Sequence, residues 1–274
     1  MRRALRNPRI LIGTVFLLFL CIIAVFAKQI APFNPIKMYP SESLQAPSIR
    51  HLFGTDMMGR DVFSRIIYGA RYSLLLGCAA VTISAILGTL LGLTSGYFGG
   101  RLDSIIMRIV DIGLAFPSVL LALLIIAILG PGLTSVTIAI GISATPPFAR
   151  LIRGCVLAIK ETPFVEAARA IGANRWRIVF RHVLPEVFAP AITMATLRLA
   201  GAIFSASSLS FLGFGAQPPT PEWGAIVSAA RHMLRAAWWI STFGGLAIML
   251  TVLAINVLGD GLRDVLDPKL RGKI

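Results

Sequence analysis

The sequence predicts an all-α membrane protein that crosses the bilayer six times. The mean hydropathy of the 274-residue chain is +0.81. Only 14% of its residues are charged, against about 25% in ordinary soluble domains. Six apolar runs, most of them of roughly 18 residues or more, are separated by polar segments, and a helix of that length crosses a hydrocarbon core of about 30 Å. Helical spans account for all three observations.

The first run, Ile10 to Ala27, follows four arginines. Val25 and Ala27 would suit a signal-peptide cleavage site, but the run exceeds the usual apolar region of about 7–15 residues. We therefore predict an uncleaved anchor helix within residues 1–27.

Residues 28–72 form a predicted outer segment. Its last part has apolar residues at helical spacing, with Asp61 and Arg65 four residues apart on the opposite face. This pattern predicts a helix lying at the outer membrane interface. The apolar residues are Val62, Phe63, Ile66, Ile67 and Ala70.

Residues 73–274 form the predicted core domain. Small residues recur at every fourth position of its first run, which predicts close helix packing. Pro117, Pro146 and Pro147 are expected to bend their helices. The five runs are Ser73–Tyr97, Ile112–Leu129, Leu133–Phe148, Val187–Phe214 and Trp238–Leu258, and the small residues are Ser84, Gly88, Gly92 and Gly96.

The distribution of basic residues predicts that both termini are cytoplasmic. With the N-terminus inside, 17 of the 26 Lys and Arg residues fall in cytoplasmic segments and eight fall outside. The net charge of +14 therefore follows the pattern of membrane topology, and we expect no nucleic-acid partner.

Two short amphipathic helices are predicted in the cytoplasmic interval at about 162–185. Thr162 and Pro163 predict the start of the first helix, with a capping hydroxyl, and Gly172 predicts its end. Asn174 can cap the second helix, and Pro185 marks its predicted end. The apolar stripes are Phe164, Ala167, Ala168 and Ile171 in the first helix, and Trp176, Val179, Phe180 and Val183 in the second. The pair could lie on the anionic inner leaflet or dock into a groove of a soluble partner.

A resemblance favours docking. Glu166-Ala167-Ala168, Gly172 and Leu184-Pro185 resemble the EAA signature of bacterial ABC-importer permeases, although Glu186 stands where Asn is usual in the peptide-importer branch. Further matches resemble the C-type permease of the dipeptide, oligopeptide and nickel family. They include His51 to Asp56, Gly59-Arg60-Asp61, Ser210 to Gly213, Gln217 to Pro221, and Gly259 to Asp264 with Leu266-Asp267-Pro268.

The resemblance implies a type I importer permease fold in the bacterial inner membrane. It also implies a second, B-type permease, two cytoplasmic ATPases and an extracytoplasmic solute-binding protein as partners, with lipid around the spans. The chain has no phosphate-binding G-x4-G-K-[ST] loop. We therefore expect no cofactor and no enzymatic activity in this chain, with ATP and Mg²⁺ bound by the ATPases. The residues expected to couple to them are Phe164, Glu166, Ala167, Ala168, Arg169, Ile171, Gly172, Arg175 and Pro185.

A charged residue in the fifth run is a candidate for the translocation pathway. Arg198 shares a helical face with Gly201, Ser205 and Ser208, and could meet a peptide carboxylate. The alternatives are a structural pair with Asp111, or snorkelling to the interface.

Peptides are the expected solute, with nickel or another small solute as the alternative within the family. A secondary transporter is the rival class, but only Asp111 lies well within an apolar run, so an acidic relay is poorly supported. The scattered histidines and cysteines predict no metal site.

Overall fold

The computed structural model describes the backbone of residues 8–266 and the side chains of residues 8–262. Five helices in this range are long and apolar enough to cross a membrane, and a bent helix pair can provide a sixth span. The only β-structure in the described range is an isolated bridge between Thr55 and Asp61. The predicted all-α class is thus confirmed. The helices are α1 Pro8–Val25, α2 Ala27–Ile30, α3 Val62–Phe98, α4 Gly100–Ala115, α5 Ser118–Leu129, α6 Leu133–Ile159, α7 Pro163–Ala170, α8 Arg175–Ile178, α9 Leu184–Phe211, α10 Trp223–Ala229 and α11 Trp238–Leu266.

The third predicted span, Ile112–Leu129, is not one helix. α4 ends at Ala115 and α5 begins at Ser118, with an angle of 98° between them. Phe116 is extended at φ −92°, ψ 138°, because a following proline disfavours the helical conformation. The expected bend at Pro117 is therefore a break, and only α4 and α5 together can form the span.

The predicted interfacial helix is the first part of α3. Val62, Ile67 and Ala70 are buried, and α3 continues from Val62 to Phe98 without interruption. Asp61 and Arg65 do not pair with each other: Asp61 accepts a bond from His51, while the Arg65 guanidinium lies near Asp56.

The chain divides into two compact units, each with its own core. One comprises residues up to Cys78, Ile126–Thr137 and residues from Leu199; the other comprises Ala79–Ile125 and Ile138–Arg198. In the first, α1 packs along α11, where a Cβ on Gly13 would lie 2.8 Å from Leu258 Cβ. The outer segment is tied into this unit by stacking of Phe53 on Phe243, with ring centroids 3.9 Å apart.

In the second unit, the predicted stripe of small residues on α3 packs closely on α6. A Cβ on Gly88 would lie 2.7 Å from Phe148 Cβ, and one on Gly92 would lie 2.5 Å from the Ala149 carbonyl oxygen. α6 itself continues through Pro146 and Pro147. Close packing at this stripe is therefore as the sequence predicts.

Several sequence features lie outside the described residues. They are Arg2, Arg3 and Arg6 at the N-terminus, and Asp267, Pro268, Lys269, Arg271 and Lys273 at the C-terminus.

Candidate functional site

The helix α7 begins after Thr162, as predicted, but the threonine side chain does not cap it. Thr162 is extended, and its hydroxyl donates to the Ile159 carbonyl, at the end of α6. The Thr162 carbonyl accepts the Val165 N–H and the Glu166 N–H at 3.0 and 3.2 Å. The prediction that this hydroxyl caps α7 is wrong, because the hydroxyl instead donates a hydrogen bond to the last turn of α6.

Gly172 forms a tight turn after α7 with φ +78°. The Gly172 N–H donates to Arg169 O and the Ala173 N–H to Ala168 O, both at 3.0 Å. This pattern satisfies carbonyls at a helix end and requires a left-handed residue. A Cβ at Gly172 would meet nothing within 4 Å. The turn therefore needs glycine for its backbone conformation and not for space.

The second predicted helix does not end at Pro185. Asn174 caps its start, accepting the Trp176 N–H at 3.2 Å, as predicted. The helix continues from Arg175 to Phe211 through a π turn at Val179–Val183. Leu184 N–H donates five residues back, to Val179. The wider π turn carries the chain into α9, so Pro185 lies near the start of the fifth span and not at a break.

The buried face of the helix pair differs from the predicted one. Val165 and Ala168 of α7 pack with Ile178, Val179 and Val183 in one cluster. That cluster also contains Leu93 of α3 and Phe148, Ile152 and Val156 of α6. Phe164 and Ile171, predicted to anchor α7, are 45% and 85% exposed. Of the predicted first stripe only Ala168 is buried, because Val165 supplies the inward residue.

The opposite side of the pair is an exposed apolar and charged surface, which we call the α7–α8 surface. Phe164, Ile171, Trp176 and Phe180 are large exposed hydrophobic residues. Trp176 stacks on Phe180 at 6.0 Å and meets Phe98 edge-on at 5.2 Å. Contiguous exposed apolar patches rimmed by polar residues mark protein–protein or membrane interaction sites. The surface also contains the exposed residues Glu166, Ala167, Arg169 and Arg175.

A salt bridge braces α4 against α6, the helix that shares a core cluster with α7. Arg153 of α6 binds Asp103 of α4 with two hydrogen bonds of 2.7 Å. Ser95 of α3 donates to the same carboxylate, and Lys160 lies 3.5 Å from the Gly96 carbonyl oxygen. Bidentate charge-assisted bonds fix orientation as well as distance. The sequence does not predict this brace, because no local pattern connects residues 50 positions apart.

The candidate pathway residues lie on α9 and are exposed or half-buried. Arg198 is exposed and makes no salt bridge within the described residues, while Ser205 and Ser208 are half-buried. Asp111 pairs with Arg150, so the predicted alternative pair with Arg198 is wrong. An unpaired arginine in an apolar helix is a candidate functional group.

The membrane-spanning helices are those expected of a multi-pass permease subunit of an ABC importer. The model of the family "Binding-protein-dependent transport system inner membrane component" matches residues 88–272, and "N-terminal TM domain of oligopeptide transport permease C" matches residues 1–47. The chain belongs to this family of importer permeases.

Curated relatives align over almost the whole chain. The dipeptide transport system permease protein DppC of Alkalihalophilus pseudofirmus is 48% identical over 97% of this chain and 88% of its own length. The glutathione transport system permease protein GsiD of Escherichia coli is also 48% identical, over 99% of this chain and 90% of its own length.

Solved structures share the fold. A chain of the inward-facing MetNI methionine ABC transporter superposes with a TM-score of 0.61 at 21% identity, covering 75% of this chain and 98% of that one. A chain of an amino acid ABC transporter with histidines gives a TM-score of 0.57 at 17% identity, covering 74% and 95%. These similarities confirm the type I importer permease fold.

Proposed function

We propose that this chain forms the translocation pathway of an ATP-driven importer of short peptides together with a second, B-type permease. In this proposal the α7–α8 surface docks into the cytoplasmic ATPases. The supporting observation is the division of the helix pair into two sides. Val165 and Ala168 fix the pair to α6, while Phe164 and Ile171 are left for a partner.

The proposed docking works through rigidity. A force applied at the exposed side reaches α6 directly, because the buried side is packed and Gly172 fixes the turn. Glu166, Ala167, Arg169 and Arg175 supply exposed polar and small contacts around the apolar residues. The shape of the helix pair depends on Ala168, Gly172 and Pro185. In this proposal these three residues make no direct contact with the ATPases.

The remaining partners follow from the proposed assembly. Two ATPase subunits bind ATP and Mg²⁺ and hydrolyse the nucleotide, and an extracytoplasmic binding protein delivers the solute. The chain sits in the bacterial inner membrane with both termini in the cytoplasm. Short peptides are the proposed solute class, since both a dipeptide permease and a glutathione permease are 48% identical to this chain.

The test is to uncouple ATP hydrolysis from uptake while the protein stays folded. Gly172→Val places a β-branched residue at φ +78°, where a left-handed conformation costs roughly 1–2 kcal/mol or more. Glu166→Lys reverses a charge on the exposed side. We expect both variants to reach the membrane and to lose the stimulation of ATPase activity by solute-loaded binding protein, together with uptake of labelled dipeptide.

Matched controls separate the turn and the surface from general damage. Gly154→Val makes the same change at an exposed glycine of α6 without a positive φ and with open space around it. Glu161→Lys makes the same charge reversal just before α7. Gly172→Asn tolerates the left-handed conformation and should retain coupling. Coupled uptake in both Gly172→Val and Glu166→Lys would refute the docking role.

A further inference from the structure

A cavity of about 480 Å³ lies between the segment before α3, the start of α3, and residues of α10 and α11. Binding sites for small molecules range from about 300 to 1,000 Å³. Met38, Met57 and Met58 line it and are each about half exposed, so they form its solvent side. Its other apolar walls include the buried residues Ile226 and Ile240.

The same cavity is lined by three buried charged groups with an excess positive charge. They are Asp56, Arg60 and Arg65, with only 6%, 8% and 4% of their surfaces exposed. Two guanidinium groups therefore share one carboxylate, and a buried charge without a partner is costly.

Asp56 makes its hydrogen bonds to Arg60 and Met58 and none to the second arginine. One of its oxygens accepts Arg60 Nε at 2.7 Å, and the other accepts the N–H groups of Met58 and Arg60, both at 2.9 Å. Arg65 Nε lies 3.7 Å from the carboxylate, beyond hydrogen-bond distance.

Both guanidinium groups keep unused donors. Arg65 donates through Nη1 to the carbonyl oxygens of Pro35 and Pro219, at 3.0 and 3.4 Å. Within the described residues, Nη2 of Arg65 and both η nitrogens of Arg60 have no acceptor, yet none of these atoms is sealed from solvent. Their accessible side is the cavity that both residues line.

We propose that this cavity binds a monocarboxylate with an apolar body. The carboxylate would accept hydrogen bonds from the free donors of Arg60 and Arg65 and balance the excess charge. The apolar body would pack between the methionines and the isoleucines. The carboxyl terminus of a short peptide and a free fatty acid both supply this chemistry.

The full chain in lipid nanodiscs, labelled with ¹³C at its methionine methyl groups, tests the proposal directly. Hexanoate at millimolar concentration should shift the NMR signals of Met57 and Met58 saturably, and hexanol should not. Glycyl-leucine and its C-terminal amide form the second arm. Saturable shifts by glycyl-leucine but not by the amide identify a peptide carboxyl terminus as a ligand, while shifts by hexanoate alone identify a fatty acid.

Two variants test the charged part and the apolar part of the cavity separately. Arg60→Gln should weaken hexanoate binding about tenfold or more, since it removes charge-assisted bonds. Arg71→Gln, at an exposed arginine of the same region, should bind as the wild type does. Ala229→Phe fills the cavity from an exposed position and should abolish the shifts with both arginines intact.

Three results would overturn the proposal. One is that neither hexanoate nor glycyl-leucine produces a saturable shift of the methionine signals. Another is an equal response to hexanol, which would indicate partition into lipid. The third is unchanged hexanoate affinity in Ala229→Phe, a variant that answers the question even where Arg60→Gln fails to fold.

Discussion

Glu222 shows how a single buried carboxylate can order several segments. It is fully buried, and its two oxygens accept the N–H groups of Gly224 and Ala225 at 3.0 Å each, which caps α10. The hydroxyl of Ser73 on α3 donates to the same side chain at 3.2 Å. The acid is thus satisfied by hydrogen bonds that join α3 to the start of α10.

Removing that carboxylate should destabilise the protein. Glu222→Ala deletes a helix cap and leaves buried donors without an acceptor, for a combined cost of about 2 kcal/mol or more. We expect the melting temperature of the purified chain to fall by about 4 °C or more. Glu186→Ala, at an exposed acid, serves as the control. Equal melting temperatures for the two variants would contradict the role given to Glu222.

Arg198 carries a second prediction at the scale of one residue. If it meets the peptide carboxylate, Arg198→Gln should lower dipeptide uptake by about tenfold or more, through loss of a charge-assisted hydrogen bond. The variant should reach the membrane in normal amount. Arg108→Gln, at an exposed arginine of α4, should transport normally. Wild-type uptake by Arg198→Gln would remove this residue from the pathway.

Single residues also show the reach of sequence reasoning. Asn174 caps α8 as predicted, because its acceptor lies two residues away. Thr162 does not cap α7, because the Ile159 carbonyl competes for its hydroxyl. On α7, Phe164 and Val165 are both apolar, and periodicity alone does not say which of them faces the rest of the chain. That choice depends on α6, which contributes Phe148 and Ile152 to the core.

At the scale of elements, α3 and α6 cross closely because the glycines of α3 place no side chain between the two helices. Gly92→Leu would place a Cβ 2.5 Å from the Ala149 carbonyl oxygen and 2.9 Å from the Arg153 N. Both are backbone atoms, so the helices must move apart, and overpacking costs about 1–3 kcal/mol or more.

The expected result is a lower melting temperature and a reduced yield of Gly92→Leu in nanodiscs. Gly245→Leu is the matched control, because a Cβ at this glycine of α11 meets nothing within 4 Å. A Gly92→Leu protein as stable as Gly245→Leu would show that the two helices do not approach as closely as described.

Elements were predicted well where one local signal decides, and less well where two compete. The stripe from Ser84 to Gly96 predicted close packing because small side chains permit it wherever helices meet. Pro117 and Pro185 look alike in sequence, yet the first breaks a span and the second lies inside one. Phe116 becomes extended before its proline, whereas the π turn before Pro185 lets the helix continue.

For the whole molecule, the proposed orientation can be tested by chemical labelling. In a variant without Cys21, Cys78 and Cys155, single cysteines are introduced at the exposed positions Ile49 and Ala170. A membrane-impermeant maleimide should label Ile49→Cys in intact spheroplasts, but Ala170→Cys only after lysis. The reverse pattern would contradict termini in the cytoplasm. The distribution of Lys and Arg residues in the sequence predicts this orientation. Contacts within the folded chain do not indicate which side of the membrane a segment faces.

In the proposed mechanism, the continuous helix from Arg175 to Phe211 acts as a mechanical lever. From Ile178 to Arg198 the helix rises about 30 Å, at about 1.5 Å per residue. A tilt of about 10° at the Ile178 end would displace Arg198 by roughly 5 Å over that length. No loop interrupts this stretch of helix, and its two departures from regular α-helical hydrogen bonding are the π turn at Val179–Val183 and the interior proline Pro190. In the proposed mechanism, stiffening or loosening the π turn would change how much of each ATPase movement reaches the solute.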